Sequence, residues 1–257
     1  MSEPRRLKHE LAVEQLTPII PPGSRYLRGL SFTRRNWEEA RDAGESVWLL
    51  YPPVEDRSAA LQRYLDMGEA LDVPRAYKCQ TRKPWWRPSF VLPPDLFFTY
   101  LSHRYPRLIS NSARVGFLNS MHGIRLRKGA PRCAKSALPL LTLNSVTMLG
   151  AEVYGRSYGG GVLKMEPREA AKLPVPTAQA LEAAWKQLRC ERASLDRKLR
   201  KGLWEAVNKR VDEVLLRDVL KLSPAATQKL FHAAQFLRER RVGREQPRSP
   251  LLSELIP

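Results

Sequence analysis

The sequence has few cysteines and lacks the long apolar runs of membrane proteins. Its three cysteines, Cys79, Cys133 and Cys190, are odd in number, far apart and outside any Cys-x-x-Cys pair. They favour neither a disulfide framework nor a zinc site. No apolar run approaches the roughly 18 to 20 residues that cross a bilayer, and residues 1–10 carry charges of both signs without an apolar signal core. These absences argue against secreted and membrane proteins and predict a reducing, cytoplasmic setting.

Recognisable catalytic patterns are also missing. None of the four histidines, His9, His103, His122 and His232, has a neighbouring ligand at metal spacing. The chain has neither a Gly-x-Gly-x-x-Gly turn after a predicted strand nor a Gly-x-x-x-x-Gly-Lys-Ser/Thr loop. The run 159–161 is three glycines, whose amides suit a phosphate but which also permit a tight turn or close packing. We therefore predict no catalytic site and no metal site in this chain.

What the sequence does have is an excess of positive charge. Its 257 residues include 44 Lys+Arg against 26 Asp+Glu, a formal net charge of +18, and 43% of them are hydrophobic. That apolar content suffices for one large or two small globular domains.

The positive charge is concentrated between Arg75 and Lys135. This stretch contains thirteen basic residues and one acidic residue, Asp95. Aromatic residues are interleaved with them: Tyr77, Trp85, Trp86, Phe90, Phe97, Phe98, Tyr100, Tyr105 and Phe117. Cations beside flat rings are typical of proteins that bind a polyanion with stackable bases. The alternative is a solvated basic face over an ordinary aromatic core. By contrast, the two signs of charge alternate in Glu182 to Arg217, as on solvent-exposed helices.

Prolines and changes in composition divide the chain into four predicted regions. Residues 1–24 are predicted to contain a polar helix, Arg5–Leu16, and a linker at the breaker run Pro18 to Gly23. Residues 25–176 form the main domain, 177–242 a helical region and 243–257 a flexible tail. The fold class expected is α+β, a small, irregular, mostly antiparallel sheet with packed helices, followed by a helical C-terminal region.

The patterns behind this fold class are periodic apolar runs. In the main domain the predicted strands are 27–33, 47–51, 76–81, 96–100, 107–111, 115–119, 124–126 and 162–165. The predicted helices there are 36–43, 58–67, 138–154 and a short one from Pro167. The region 178–214 reads as one or two amphipathic helices, and Ser223-Pro224 begins a last helix that runs to about Arg241.

Several blocks resemble the target-recognition half of adenine-specific DNA methyltransferases of the Eco57I-like and TaqI-like groups. The similarity runs from about Gly29 to Pro176, and the blocks match in order and spacing. They are YKCQTRKPWW at 77–86, PDLFFTY at 94–100, PRL at 106–108, NSMHGI at 119–124, GRSYGGGVLKMEP at 155–167 and LPVP at 173–176. The block from 155 is the most specific.

In that family a Rossmann-like half binds S-adenosylmethionine and holds the flipped adenine at an Asn/Asp-Pro-Pro-aromatic motif, while the C-terminal half reads the DNA. This chain has neither the cofactor turn nor that motif. In its double prolines, Pro21-Pro22, Pro52-Pro53 and Pro93-Pro94, no polar residue precedes and no aromatic follows. The resemblance therefore implies a DNA target-recognition domain over 25–176, inactive alone, with S-adenosylmethionine bound by a partner catalytic domain or subunit.

From this we predict which residues contact double-stranded DNA. Candidates for backbone and guanine contacts are Arg82, Lys83, Arg87, Arg104 and Arg107, and candidates for phosphate neutralisation are Lys78, Arg125, Arg127 and Lys128. Asn111, Asn119 and His122 are candidates for reaching base edges. Trp85, Trp86 and Tyr158 are candidates for stacking or wedging, or alternatively for the core.

Two other functions stay open at this point. One is a non-catalytic RNA- or DNA-binding regulatory protein that uses the same basic, aromatic surface. The other is an independent nuclease or methyltransferase with unrecognised motifs, although the scarcity of carboxylates leaves a two-metal nuclease little to build on.

Overall fold

The computed structural model describes residues 1–23, 25–89 and 92–243. Its helices and strands, in chain order, are α1 (Glu3–Lys8), β1 (Leu16–Pro18), β2 (Ser31–Phe32), α2 (Arg34–Asp42), β3 (Trp48–Leu50), α3 (Ala59–Ala70), α4 (Tyr77–Gln80), β4 (Leu96–Thr99), β5 (Leu101–Ser102), β6 (Leu108–Asn111), β7 (Met121–Ile124), α5 (Ala134–Leu141), α6 (Ser145–Tyr154), β8 (Arg156–Tyr158), β9 (Val162–Lys164), α7 (Pro167–Ala170), α8 (Ala178–Leu188), α9 (Arg192–Arg200), α10 (Trp204–Asp212) and α11 (Pro224–Gly243). A π-helical segment covers Glu213–Val219. This mixture of helices and small sheets, with helices at the C-terminal end, confirms the α+β class.

The chain divides into two compact units. Unit 1 consists of Met1–Phe97 and Ile109–Arg125, and unit 2 of Phe98–Leu108 and Leu126–Pro257. These boundaries differ from the predicted ones at 24/25 and 176/177, and the assignment of 25–176 to DNA recognition stays a prediction. Of the predicted tail, 243–257, all but Gly243 lies outside the described residues, as does Phe90 of the basic stretch.

Unit 1 is built around Trp37. Thr33 caps α2 by accepting a hydrogen bond from the Asn36 amide, a contact that contributes about 1 kcal/mol. Trp37 is fully buried, and its Nε1 donates to the Ile19 carbonyl at 3.1 Å. Its ring meets Trp48 edge to face at 4.9 Å. Ile19 of the predicted linker is only 2% exposed, so this part of the segment packs within unit 1.

The sheets of the chain are small, as expected. β1 pairs antiparallel with β3, with Leu16 opposite Leu50. A four-stranded sheet has the order β2-β6-β4-β7, and β2 pairs with β6 in parallel. In unit 2, β9 lies between β5 and β8 and is antiparallel to both.

Two predicted strands are wrong, and a third, 124–126, shares only Ile124 with β7. Ala76–Thr81 contains the short helix α4, which follows a 3₁₀ turn at Val73–Arg75. Its residues are mostly exposed, and among the described residues no strand pairs with them to supply ladder hydrogen bonds. Val115–Asn119 makes only an isolated bridge, between Gly116 and Ile19, because the Asn111 side chain accepts from the Val115 amide and holds the chain in a turn.

Two predicted helices are interrupted. The predicted helix over 138–154 is two helices, α5 and α6, because Asn144 caps α6 by accepting from the Thr147 amide at 2.9 Å. The amphipathic stretch 178–214 forms three helices, α8 to α10, rather than one or two. The break before α10 contains Gly202 at φ +79°, a conformation that glycine adopts without strain. The last helix begins at Pro224 as predicted.

A buried carboxyl joins α6 to α10 in unit 2. Asp212 is 4% exposed, and its Oδ1 accepts from the Ser145 amide at 2.8 Å. Its Oδ2 accepts from the Ser145 hydroxyl, which also lies 3.4 Å from the Asn208 Oδ1. Burial raises the pKa of Asp212 to about 6, although the two Ser145 hydrogen bonds act in the opposite direction.

Replacing Asp212 with asparagine is expected to stabilise the protein above pH 6. The folded state holds the Asp212 proton more tightly than the unfolded chain does, so stability falls as pH rises from roughly 4 to 6, by up to about 3 kcal/mol. In Asp212→Asn the amide nitrogen donates to the Ser145 oxygen, whose hydroxyl then donates to Asn208. Urea unfolding below pH 4 and above pH 6 measures the free energy of unfolding of variant and wild type. A difference between the two proteins that does not change with pH would contradict the prediction.

Candidate nucleic-acid interface

The segment around α4 is an exposed basic and aromatic part of unit 1. Tyr77 is 78% exposed, and Lys78 and Lys83 are exposed beside it in sequence. Within the described part of the chain, neither lysine has a carboxylate within ion-pair distance. Unpaired cations next to an accessible ring give this segment the chemistry needed for phosphates and bases.

The two tryptophans anchor this segment from the inside. Trp85 and Trp86 are half-buried and pack against a cluster that includes Leu61 and Leu65 of α3. A Cβ at Gly68 would come within 2.8 Å of the Trp85 ring, so the glycine makes room for the indole. Of the two roles left open by the sequence, the packing supports the core role for both tryptophans.

The arginines of unit 1 differ in their exposure and in the contacts that their guanidinium groups make within the protein. Arg87 donates to the Pro52 carbonyl, and its guanidinium lies 4.0 Å from the centre of the Tyr51 ring. Arg125 is exposed, and its Nη2 donates to the Leu92 carbonyl at 3.0 Å. Arg82 is half-buried. Arg87 is therefore occupied with stabilising the fold.

The residues predicted to contact base edges also differ in their exposure. Asn111 is fully buried, and its Nδ2 donates to the carbonyls of Pro94 and Val115, each at 2.9 Å. The structure therefore excludes base contacts by Asn111 in this conformation. Asn119 is exposed and His122 is half-buried.

In unit 2, two predicted arginines flank a tryptophan. The guanidinium carbons of Arg104 and Arg107 lie 6.0 and 5.0 Å from the centre of the Trp204 ring. Such cation–ring contacts contribute about 0.5–2 kcal/mol. Burial lowers the pKa of Arg107 to about 10, so the side chain still carries its charge at neutral pH. Arg104 is exposed, and Arg107 is half-buried.

The remaining candidates of unit 2 are exposed. Arg127 and Lys128 lie before α5, and neither has an ion-pair partner among the described residues. Tyr158, at the end of β8, is 58% exposed, and the Lys164 ammonium lies 5.5 Å from the centre of its ring. The basic stretch is thus distributed over both units.

The glycines after Tyr158 form a hairpin turn between β8 and β9. Tyr158 pairs with Val162, while Gly160 and Gly161 have φ of +75° and +63°. The Gly161 carbonyl accepts from Arg241, and a Cβ at Gly161 would meet Val242. The turn and packing interpretation of the glycine run is the one that the structure supports.

The block after Gly155 is held together by its own charged residues. Arg156 pairs with Glu169 at 2.6 Å, and Lys164 pairs with Glu166 at 2.9 Å. These partners lower the pKa of both glutamates. A Cβ at Gly155 would come within 2.6 Å of Leu163, so glycine lets β9 pack closely against the end of α6. The most specific block of the sequence therefore builds the fold of unit 2.

Two side chains of this candidate interface were not predicted as contacts. Tyr77 lies in the basic stretch, and its position next to Lys78 was the available signal. Trp204 lies about a hundred residues from Arg104 and Arg107, so no local pattern points to it. Among the described residues no group of three or more His, Cys, Asp or Glu side chains is placed to hold a metal ion. None of the helices in the described ranges combines the length and apolar composition that crossing a bilayer requires.

Comparison with known families shows which proteins the chain is related to. The family model described as the C-terminal domain of the Type II methyltransferase M.Eco57I matches residues 4–216, well over half of the 257 residues. The chain belongs to this family. The expected resemblance to the C-terminal half of such methyltransferases is therefore confirmed, and the matched range covers both α4 and the block after Gly155.

One curated relative of this chain is the Type II methyltransferase M.XamI of Xanthomonas campestris pv. amaranthicola. The two are 29% identical over 131 residues, which are 51% of this chain and 24% of that protein. The match thus spans about a quarter of the relative's length. No solved structure matches the chain.

Proposed function

We propose that this chain is the DNA-binding target-recognition module or subunit of a site-specific adenine-N6 DNA methyltransferase, without the catalytic half. Membership of the M.Eco57I C-terminal domain family carries the proposal. The exposed cations around α4 and before α5, for which the described ranges contain no ion-pair partner, support it, because neutralised phosphates supply much of the affinity for DNA.

The proposed contacts are a revised form of the predicted set. Lys78, Lys83, Arg127 and Lys128 neutralise phosphates, since they are exposed and lack ion pairs within the described residues. Arg125 remains a candidate for phosphate neutralisation. Arg82, Arg104 and Arg107 remain candidates for backbone and guanine contacts, and Asn119 and His122 for base edges. Arg87, Asn111, Trp85 and Trp86 leave the set because their polar groups or rings serve internal contacts.

Two exposed rings are the proposed stacking groups. Tyr77 and Tyr158 present more than half of their surface to solvent. An aromatic ring that stacks on a base contributes about 1–3 kcal/mol. Extruding an adenine costs a few kcal/mol, so stacking and phosphate clamping by this chain would offset that cost for the catalytic half.

The described glycine turn of this chain does not fit S-adenosylmethionine. Gly159–Gly161 joins two antiparallel strands, whereas the dinucleotide-type cofactor turn joins a strand to a helix. We place the cofactor, which supplies the methyl group, in a separate catalytic domain or subunit. This chain's own residues bind and orient the DNA.

Selection of binding sites from a pool of random duplexes tests the proposed function. A target-recognition module enriches one site that contains adenine, and the purified chain with labelled S-adenosylmethionine transfers no methyl group to it. Retention of duplexes without sequence enrichment would contradict target recognition. Catalytic methyl incorporation would contradict the absence of a catalytic half.

A further inference from the structure

A small cavity of unit 2 is lined in part by Arg238. The cavity has a volume of about 30 Å³ and lies between Arg104, Trp204 and the side chains of Gln235 and Arg238 on α11. The Nε of Arg238 is buried and has no hydrogen-bond acceptor among the described residues. A buried guanidinium donor without an acceptor costs free energy that an anion recovers.

The charge around this cavity is that of an anion site. Arg104 and Arg238 bring two positive charges, and Glu205 is the one carboxylate among the described residues that line it. Glu205 is exposed at the start of α10. Gln235 lies one turn before Arg238 on the same face of α11 and adds an amide donor.

The size of the cavity favours a small anionic group, with the rest of the ligand outside the cavity. On the same measure one water needs about 10–15 Å³, so the volume exceeds that of a single water. A second cavity, of about 570 Å³, shares Glu205, Asn208 and Phe231 with it. The Asn208 Nδ2 donates to the Leu143 carbonyl, so Asn208 lines the cavity but does not offer this donor to a ligand.

We propose that Arg238 and Arg104 bind a phosphate group in this cavity. The planar fork of a guanidinium matches the geometry of phosphate oxygens, and charge-assisted hydrogen bonds are about twice as strong as neutral ones. The phosphate belongs either to a phosphodiester of bound DNA, which rests on the proposed function, or to a free phosphate-bearing ligand. Arg238 lies outside the family match at 4–216 and outside the stretch predicted to contact DNA.

Titration calorimetry with inorganic phosphate at constant ionic strength tests the site. We expect saturable binding with a Kd of about 1 mM, reasonable for one ion held by two charge-assisted contacts. Arg238→Ala weakens binding at least about tenfold. Arg238→Lys keeps the charge but loses the Nε donor, so it does not restore wild-type affinity. Glu205→Gln tightens binding, because it removes the competing carboxylate.

The matched control is Lys229→Ala, which removes an exposed cation from the same helix, outside this cavity. It leaves phosphate binding unchanged. Arg238→Ala is also expected to melt at or above the wild-type temperature without phosphate, since it removes a buried donor that has no acceptor. Heats of dilution alone, or equal losses in Arg238→Ala and Lys229→Ala, would overturn the proposal.

A second arm identifies the source of the phosphate. If the phosphate belongs to DNA, Arg238→Ala weakens duplex binding and lowers the salt slope by about 0.9. If duplex binding by Arg238→Ala equals that of wild type while phosphate binding is lost, the source is a free ligand. The calorimetric titration with inorganic phosphate gives a result even if the chain binds no DNA. Failure of the proposed function is therefore distinguishable from failure of this site.

Discussion

Replacing Arg241 with alanine lowers the free energy of unfolding by about 3–5 kcal/mol, the usual cost of breaking a buried ion pair. The Arg241 and Glu152 side chains are 5% and 2% exposed, and Arg241 Nη2 lies 2.8 Å from Glu152 Oε1. Arg241 also donates to the carbonyls of Gly161 and Arg104. The substitution leaves the Glu152 charge buried and removes a donor from both carbonyls.

Urea unfolding, followed by circular dichroism, measures this loss. The control is Arg35→Ala, which removes an exposed pair with Glu39 and costs no more than about 0.5 kcal/mol. Arg241→Ala/Glu152→Ala is expected to cost less than the sum of the single changes, because it leaves no uncompensated charge. A loss below about 1 kcal/mol for Arg241→Ala would show that water reaches the pair.

Removing the exposed lysines of the α4 segment weakens duplex binding strongly. At about 0.1 M salt each neutralised phosphate contributes close to tenfold in affinity, so Lys78→Ala/Lys83→Ala is expected to lose about 50- to 100-fold. Fold stability changes by less than about 0.5 kcal/mol, because both side chains are exposed. Tyr77→Ala removes a stacking ring rather than a charge and lowers affinity without changing the salt slope.

The matched control removes two cations from the helical region. Lys186 and Lys198 are exposed on α8 and α9, where charges of both signs alternate. Fluorescence anisotropy with a labelled duplex measures all variants. Equal losses from Lys186→Ala/Lys198→Ala and Lys78→Ala/Lys83→Ala would mean that net charge alone drives binding, and would contradict an interface at α4.

Local signals predicted most elements of the fold. Ser223-Pro224 before α11 is a helix start that depends on adjacent residues, and it was located correctly. The helix predicted over 36–43 is also present, although α2 begins two residues earlier, at Arg34. The wrong strands depended on distant partners. The Val115 amide is held by the Asn111 side-chain oxygen, and the exposed residues around Tyr77 have no strand to pair with in the part of the chain that the structure describes.

The candidate site was predictable in charge but not in accessibility. The sequence located the cations, yet it did not separate the exposed Lys78 from Arg87, which donates to Pro52. Asn111 has a side-chain amide of the kind that contacts base edges, but this amide is buried and donates to the Pro94 carbonyl. Arg238 lies far in sequence from Arg104, so only folding places both in one cavity.

The affinity of the purified chain for random duplex DNA across a salt series tests the central claim most directly. Single-stranded DNA and RNA of matched length serve as competitors. About six phosphate contacts, at about 0.9 each, predict a log–log slope near −5 together with a preference for duplex. A flat slope, or a preference for RNA or single strands, would contradict the account of this chain as a duplex-reading half of a DNA methyltransferase.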